Sequence, residues 1–190
     1  MDQKAITIVS GLPRSGTSMM MKMLEAGGME VLTDQIRVAD EDNPQGYYEF
    51  EPVKQIETDK TWLPAAQGKA VKMVAALLKH LPAGYSYKVI LMQRRMQEVL
   101  ASQKQMLRRR GEPTDRISDD QMAELFARHL ERVKAWLAQQ PNIELLHVHY
   151  DQVLADPYRQ AAEINRFLGG WLDVERMAAV VDPALYRQRA

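Results

Sequence analysis

Apolar residues along this chain follow two rhythms. Short, mostly unbroken apolar runs occur at Ala5-Ile6-Thr7-Ile8-Val9-Ser10, Ala70 to Ala75, Tyr87 to Gln93 and Ile143 to His149. Runs of this kind suit strands buried on both faces of a parallel sheet. Glu30-Val31-Leu32 is a shorter fifth candidate. Between the runs, apolar positions recur at helical spacing. Thr17 to Ala26 reads as a helix stopped by Gly27-Gly28, and Met96 to Arg109 as another. The clearest helix spans Asp119 to Gln139, where Met122, Leu125, Phe126, Leu130, Val133 and Leu137 mark one face. Ser118 and Gln121 form a capping-box pair at its start. A short helix should end near Leu81-Pro82, with later helices from about Asp156 to Leu168 and Val174 to Val181.

Strands alternating with helices imply parallel βαβ units, and hence a three-layer α/β/α architecture around a mainly parallel sheet. At 190 residues the chain fits one domain, residues 1–190, with enough length to bury a sizeable core. Residues 34 to 67 carry no such rhythm. Acidic, Pro- and Gly-containing stretches surround the cluster Tyr47-Tyr48-Glu49-Phe50, which reads as long active-site loops with short helices.

Composition narrows the function. Lys plus Arg equals Asp plus Glu at 25 each, so no global field favours nucleic acid or anionic lipid. An anion site must then be local, built from particular Arg side chains and backbone N–H groups. The absence of cysteine excludes disulfides, thiolate zinc sites and a cysteine nucleophile. Met1-Asp2-Gln3-Lys4 leads straight into a strand with no apolar signal core, and no stretch approaches about 18 apolar residues. The expectation is a cytoplasmic protein with neither membrane nor nucleic acid among its partners.

The informative segment is Gly11-Leu12-Pro13-Arg14-Ser15-Gly16-Thr17-Ser18, between a predicted strand and a predicted helix. Gly11 and Gly16 have the two-glycine spacing of a P-loop, which curls the backbone so that successive N–H groups face an anion. The next helix adds its N-terminal N–H groups and dipole. The fold expectation is therefore P-loop NTPase-like. Yet Thr17-Ser18 stands where a nucleoside-triphosphate loop has Lys then Ser/Thr, and the cation, Arg14, comes earlier. Asp151 is the nearest candidate for a magnesium-holding Asp at a strand end, and no convincing apolar strand leads into such a residue. A sulfuryl group carries less charge than a terminal phosphoryl group, so a site without metal is reasonable.

Pro13-Arg14-Ser15-Gly16-Thr17-Ser18 resembles the 5′-phosphosulfate loop of sulfotransferases that use 3′-phosphoadenosine 5′-phosphosulfate (PAPS). The resemblance implies that Arg14, the loop N–H groups, Thr17 and Ser18 hold the 5′-phosphate and sulfate, with 3′-phosphoadenosine 5′-phosphate (PAP) as product. Val89 to Ser102 resembles the family's 3′-phosphate motif, in which an Arg at a strand end is followed eight residues later by a helical Ser; Arg94 and Ser102 match. An Arg fork and one hydroxyl can grip a single phosphate. Arg95 is out of register and reads as solvated or ion-paired. Asp42-Asn43-Pro44-Gln45-Gly46-Tyr47-Tyr48-Glu49 and Val148 to Pro157, continuing to Phe167-Leu168-Gly169, resemble segments of bacterial members.

The match fails in two places. Val74 stands where cytosolic members have the His base of a Lys-x-His segment, leaving Lys72 to stabilise charge on the bridging oxygen. Glu49 is then the first candidate base, ahead of Glu51 and Glu41. His80 is explained equally by helix-end capping, His129 lies on the long helix's apolar stripe, and His147 and His149 are expected to pack. The family's adenine-stacking Trp is replaced by Met19, a less specific cover for a purine. Arg108-Arg109-Arg110 either complement a helix dipole or contact donor or an acidic acceptor, and Arg187 and Arg189 are tail candidates for closing over the nucleotide. The expectation is transfer of a sulfuryl group to a hydroxyl or amine on a small-molecule, glycan or peptide acceptor. Two other readings stay open: a P-loop kinase of a small metabolite, which magnesium-dependent ATP hydrolysis would favour, and a non-catalytic PAP/PAPS-binding protein. Acceptor identity and oligomeric state are not legible.

Overall fold

The computed structural model describes residues 4–34, 46–114, 117–182 and Ala184. In chain order the elements are β1 (Ile6–Gly11), α1 (Thr17–Ala26), β2 (Val31–Leu32), a 3₁₀ turn (Glu51–Gln55), α2 (Leu63–Ala66), β3 (Ala70–Val74), a second 3₁₀ segment (Ala75–His80), β4 (Tyr87–Gln93), α3 (Met96–Arg109), α4 (Asp119–Leu137), β5 (Ile143–His149), α5 (Tyr150–Ala155), α6 (Pro157–Leu168) and α7 (Val174–Ala179). The strands form one parallel sheet in the order β2-β3-β1-β4-β5.

Alternation along each strand divides the core between two faces. Ile6, Ile8, Val71, Met73, Val89 and Leu91 pack with the 3₁₀ segments, α2, and Val133 and Leu137 of α4. On the other face, Val9, Ile90, Met92 and Val148 pack with α1, α5, α6 and α7. The chain leaves β1 for the second face through α1, but leaves β3 and β4 for the first. Connections therefore diverge around β1, which makes the carboxyl end of that strand a topological switch point and the expected place for a ligand crevice. Registry brings Gly11, Val74 and Met92 side by side there.

Local signals placed the boundaries. The Ser118–Gln121 capping box is present, each bond 3.2 Å long. Asp156 caps α6 ahead of Pro157, and Gly169 ends it in the left-handed region. The segment before Leu81-Pro82 is 3₁₀ rather than α-helical, and the two short helices α2 and α5 fall where no helical rhythm is long enough to read.

Tertiary placement overrides the pattern twice. Only Val133 and Leu137 of the α4 stripe are buried, whereas Leu125 is 50% exposed. His147 and His149 do not pack as expected: both are exposed, since β5 is an edge strand. His147 Nδ1 meets Gln93 Nε2 at 2.7 Å, and partial burial, followed by the Lys134 and His149 charges, lowers its pKa. His129 is half-buried, as a boundary residue of the stripe should be, and His80 Nε2 lies 3.9 Å from Glu57. No helix among the described residues is long and apolar enough to cross a membrane.

Candidate functional site

The segment after β1 curls into a tight backbone cradle at three positive-φ positions. Gly11, Arg14 and Gly16 have φ of 155°, 69° and 97°. For Arg14, a side chain in the left-handed region costs about 1–3 kcal/mol, a strain that surrounding structure must hold in place. Part of that hold comes from Ser15, whose hydroxyl donates to Leu12 O at 2.7 Å inside the turn. A Cβ on Gly11 would lie 2.4 Å from Ser15 Oγ, and one on Gly16 2.5 Å from the Tyr150 ring, so both glycines are required by close approach. Gly16 caps α1 without a side-chain hydrogen bond, and the first turn of α1 has no acidic residue. The amino-terminal N–H groups and positive dipole end thus have no protein carboxylate of their own turn to satisfy them.

Two further elements converge on the cradle. From β4 and α3, Arg94 donates through Nη1 to Arg14 O at 3.1 Å, and Arg14 Nε donates to Ser102 Oγ at 3.0 Å. Arg94 Nε also bonds Glu98 Oε2 at 2.9 Å, with Arg94 only 8% and Glu98 1% exposed. The Tyr150 ring lies 4.4 Å from the Arg94 guanidinium carbon, and burial first of all raises the Tyr150 pKa. From β3, Lys72 Nζ donates to Tyr47 O and, at 3.4 Å, to Ser18 Oγ. Ser18 Oγ in turn donates to Tyr47 O at 3.4 Å.

Of the residues singled out in sequence, the structure bonds Arg14, Arg94 and Ser102 into one cluster and Ser18 and Lys72 into another around Tyr47 O, with Ser15 and Gly16 in the turn that carries Arg14. Pro13 is exposed at the loop tip and Thr17, half-buried, opens α1. Glu49 belongs to the loop whose Tyr47 carbonyl meets Lys72. Its own carbonyl accepts from Thr33 Oγ1 at 3.1 Å and Asp34 N at 3.0 Å, and its carboxylate lies 3.8 Å from Lys54 Nζ. Glu51 pairs with Lys54. Val74, 47% exposed, leaves no imidazole beside Lys72. Asp151 opens α5, 46% exposed and 3.9 Å from Arg95, so the ion-pair reading of Arg95 holds. Glu41, the segment Asp42 to Gln45, Arg187 and Arg189 lie outside the described residues.

Two members of the cluster escaped the sequence reading. Glu98 was signalled by its i,i+4 spacing from Arg94, with Arg94 at the tip of β4 and Glu98 in the first turn of the helix that follows. Tyr150 directly follows the last residue of β5, and an aromatic residue at the carboxyl end of a parallel strand is the kind of position that lines such a crevice.

Comparison with known proteins converges on one family. A sequence profile described as the sulfotransferase family matches residues 33–173, a stretch that includes Lys72, Arg94 and Ser102 and starts beyond the phosphate-type loop. A sulfotransferase from Mycobacterium tuberculosis has a similar structure, with a TM-score of 0.63 and 18% identity over 93% of this chain and 71% of that one. The sulfotransferase domain of a Synechococcus olefin synthase gives 0.58 and 17% over 100% and 90%. One from the curacin biosynthetic pathway gives 0.54 and 13% over 96% and 89%. No curated protein sequence matches as a relative. At these identities the structural likeness speaks for the fold.

Proposed function

The chain belongs to the sulfotransferase family, and from that premise we propose that it takes the sulfuryl group from PAPS and passes it to a hydroxyl or amine acceptor, leaving PAP. The observation that carries the reading is the single cluster joining the phosphate-type loop to the Arg94–Ser102 pair through Arg14. A nucleotide with phosphates at both its 5′ and 3′ positions needs two cationic grips on one short ligand, and this cluster supplies both. The residues fit such a ligand: α1 opens without side-chain cap or acid, and Arg14, Arg94 and Lys72 bring three cations to that start and the turn before it.

Bound there, PAPS supplies an activated sulfur with phosphate as leaving group. Glu49 takes the acceptor's proton as the acceptor oxygen or nitrogen bonds to sulfur. Lys72, Ser18 and the N–H groups at the start of α1 receive the charge that collects on the 5′-phosphate oxygen when its bond to sulfur breaks. Arg14 holds the 5′ end, while Arg94 and Ser102 hold the 3′-phosphate. Residues 1–190 act as one catalytic domain in this reading.

The test is thermal stability with PAP, PAPS, ADP and ATP, without magnesium. A ligand that binds only the folded state raises the melting temperature, by about 2.7 kcal/mol of stability at a hundredfold excess over Kd. PAP should stabilise the protein clearly more than ADP does. Equal shifts, or a strict magnesium requirement, would overturn the 3′-phosphate assignment.

A further inference from the structure

Glu98 is a carboxylate 1% exposed, set against the guanidinium that the donor reading assigns to a phosphate. On electrostatic grounds that is an odd place for it. A negative charge within a few ångströms of a dianion weakens that dianion's binding, and burial strengthens the effect because water screens it less. A buried pair also gives little stability over apolar residues of the same size. The tyrosine ring and the loop carbonyl already fix the face and one Nη of Arg94. What Glu98 adds is charge.

We propose that Glu98 sets the affinity for the nucleotide 3′-phosphate by holding part of the Arg94 charge, so that PAP can leave after each turnover. This rests on the donor reading above. In the ligand-free protein the carboxylate is the counter-ion that lets a guanidinium stand 8% exposed. When the 3′-phosphate arrives, it shares that cation with Glu98 rather than claiming it whole. Glu98 acts through Arg94 and is a positioning residue in the sense that it sets what Arg94 offers.

A purely structural ion pair predicts the opposite sign. If Glu98 only steadied Arg94, removing its charge would loosen the guanidinium and weaken PAP. If Glu98 competes for the charge, removal tightens PAP. Glu98→Gln keeps the side-chain volume and an acceptor oxygen for Arg94 Nε while deleting the charge. The measurement is the Kd of PAP and of ADP by calorimetry without magnesium, with the melting temperature of the ligand-free variant.

The expected result is a lower ligand-free melting temperature, PAP binding tighter by about tenfold, slower PAP dissociation, and ADP affinity unchanged because ADP has no 3′-phosphate. Glu98→Asp, which keeps the charge but withdraws it from Nε, should tighten PAP by a smaller factor, and it decides the matter should Glu98→Gln not fold. Unchanged or weaker PAP binding in the variant that folds, with a wild type that still prefers PAP to ADP, overturns the role of Glu98 alone. Equal tightening of PAP and ADP overturns it too. A wild type without that preference sinks both this inference and the donor reading.

Discussion

The two sides of the crevice are built by different means. On the side that the proposed function assigns to the donor, side chains come from the ends of regular elements, β1 into α1 and β4 into α3, and bond to one another. On the opposite side, residues 46–50 form no regular element and are held largely through main-chain carbonyls: Tyr47 O by Lys72 and Ser18, Glu49 O by Thr33 and Asp34. A cradle of element ends fixes atoms well enough to aim charge at one invariant ligand. In the proposed function, a loop pinned by its backbone could take different side chains for different acceptors while the chain path stays. This division predicts that damage to the loop is felt in chemistry and damage to the cradle in donor affinity.

The sharpest test of that division is Glu49→Gln. It keeps shape and hydrogen bonding but cannot take a proton, so turnover should fall about 10²–10⁴-fold. PAP affinity, measured by calorimetry on the same preparation, should stay at its wild-type value. A variant with full turnover would remove Glu49 as base. A variant with weakened PAP binding would show that the loop and the cradle are not separate in function.

Arg94→Ala probes the other side with a smaller effect. Loss of a charge-assisted contact worth about 1.5–3 kcal/mol corresponds to PAP affinity lower by about 10–100-fold, with ADP affinity little changed. The truncation also leaves Glu98 buried without its cation, so stability falls as well. Arg94→Lys, which keeps the charge but not the fork, should recover stability better than it recovers the preference for PAP over ADP. Equal loss of PAP and ADP binding in Arg94→Lys would mean that Arg94 supports the loop, through its bond to Arg14 O, and does not read the 3′-phosphate.

The same contrast explains what could be read from the sequence. β4, α1 and α3 lie at the residues the apolar rhythm gave, because buried strands and their following helices carry strong local periodicity. That Arg14, Arg94 and Ser102 come together could be read because each is fixed by its distance from an element boundary, which is a local property. Glu98 was as local, at i+4 from Arg94, but a charge on the first turn of a helix reads as dipole compensation unless its burial is known. Tyr150 is buried by the approach of Gly16, about 130 positions away in sequence, and no spacing encodes that. The α4 stripe misled for a related reason. Periodicity reports which face of a helix is apolar but not how much of that face another element covers, so Leu125 and Val133 look alike in sequence and differ in burial.

The smallest effect belongs to the latch that ties the loop to α1. Tyr48 has φ of 50°, and its hydroxyl donates to Glu25 Oε2 at 2.5 Å. Burial first, then the bond and charge of Glu25, push the phenol pKa above its ordinary range. A folded-state pKa raised above the unfolded value gives stability that is fully present below the ordinary phenol value of 10.0 and lost as pH rises from there through the folded-state value, so the latch stays closed across neutral pH. Tyr48→Phe keeps the ring and deletes the bond. Because the pair reaches solvent, the cost should be about 1 kcal/mol or less, a fall in melting temperature of about 2–4 °C at most. That fall should shrink as pH rises above 10.0, because the unfolded wild-type phenol then gives up the proton that the folded one must keep. PAP binding should not change, because the cradle is assembled without Tyr48. A change in PAP affinity would show instead that the latch reaches the donor through Tyr47 O and Lys72.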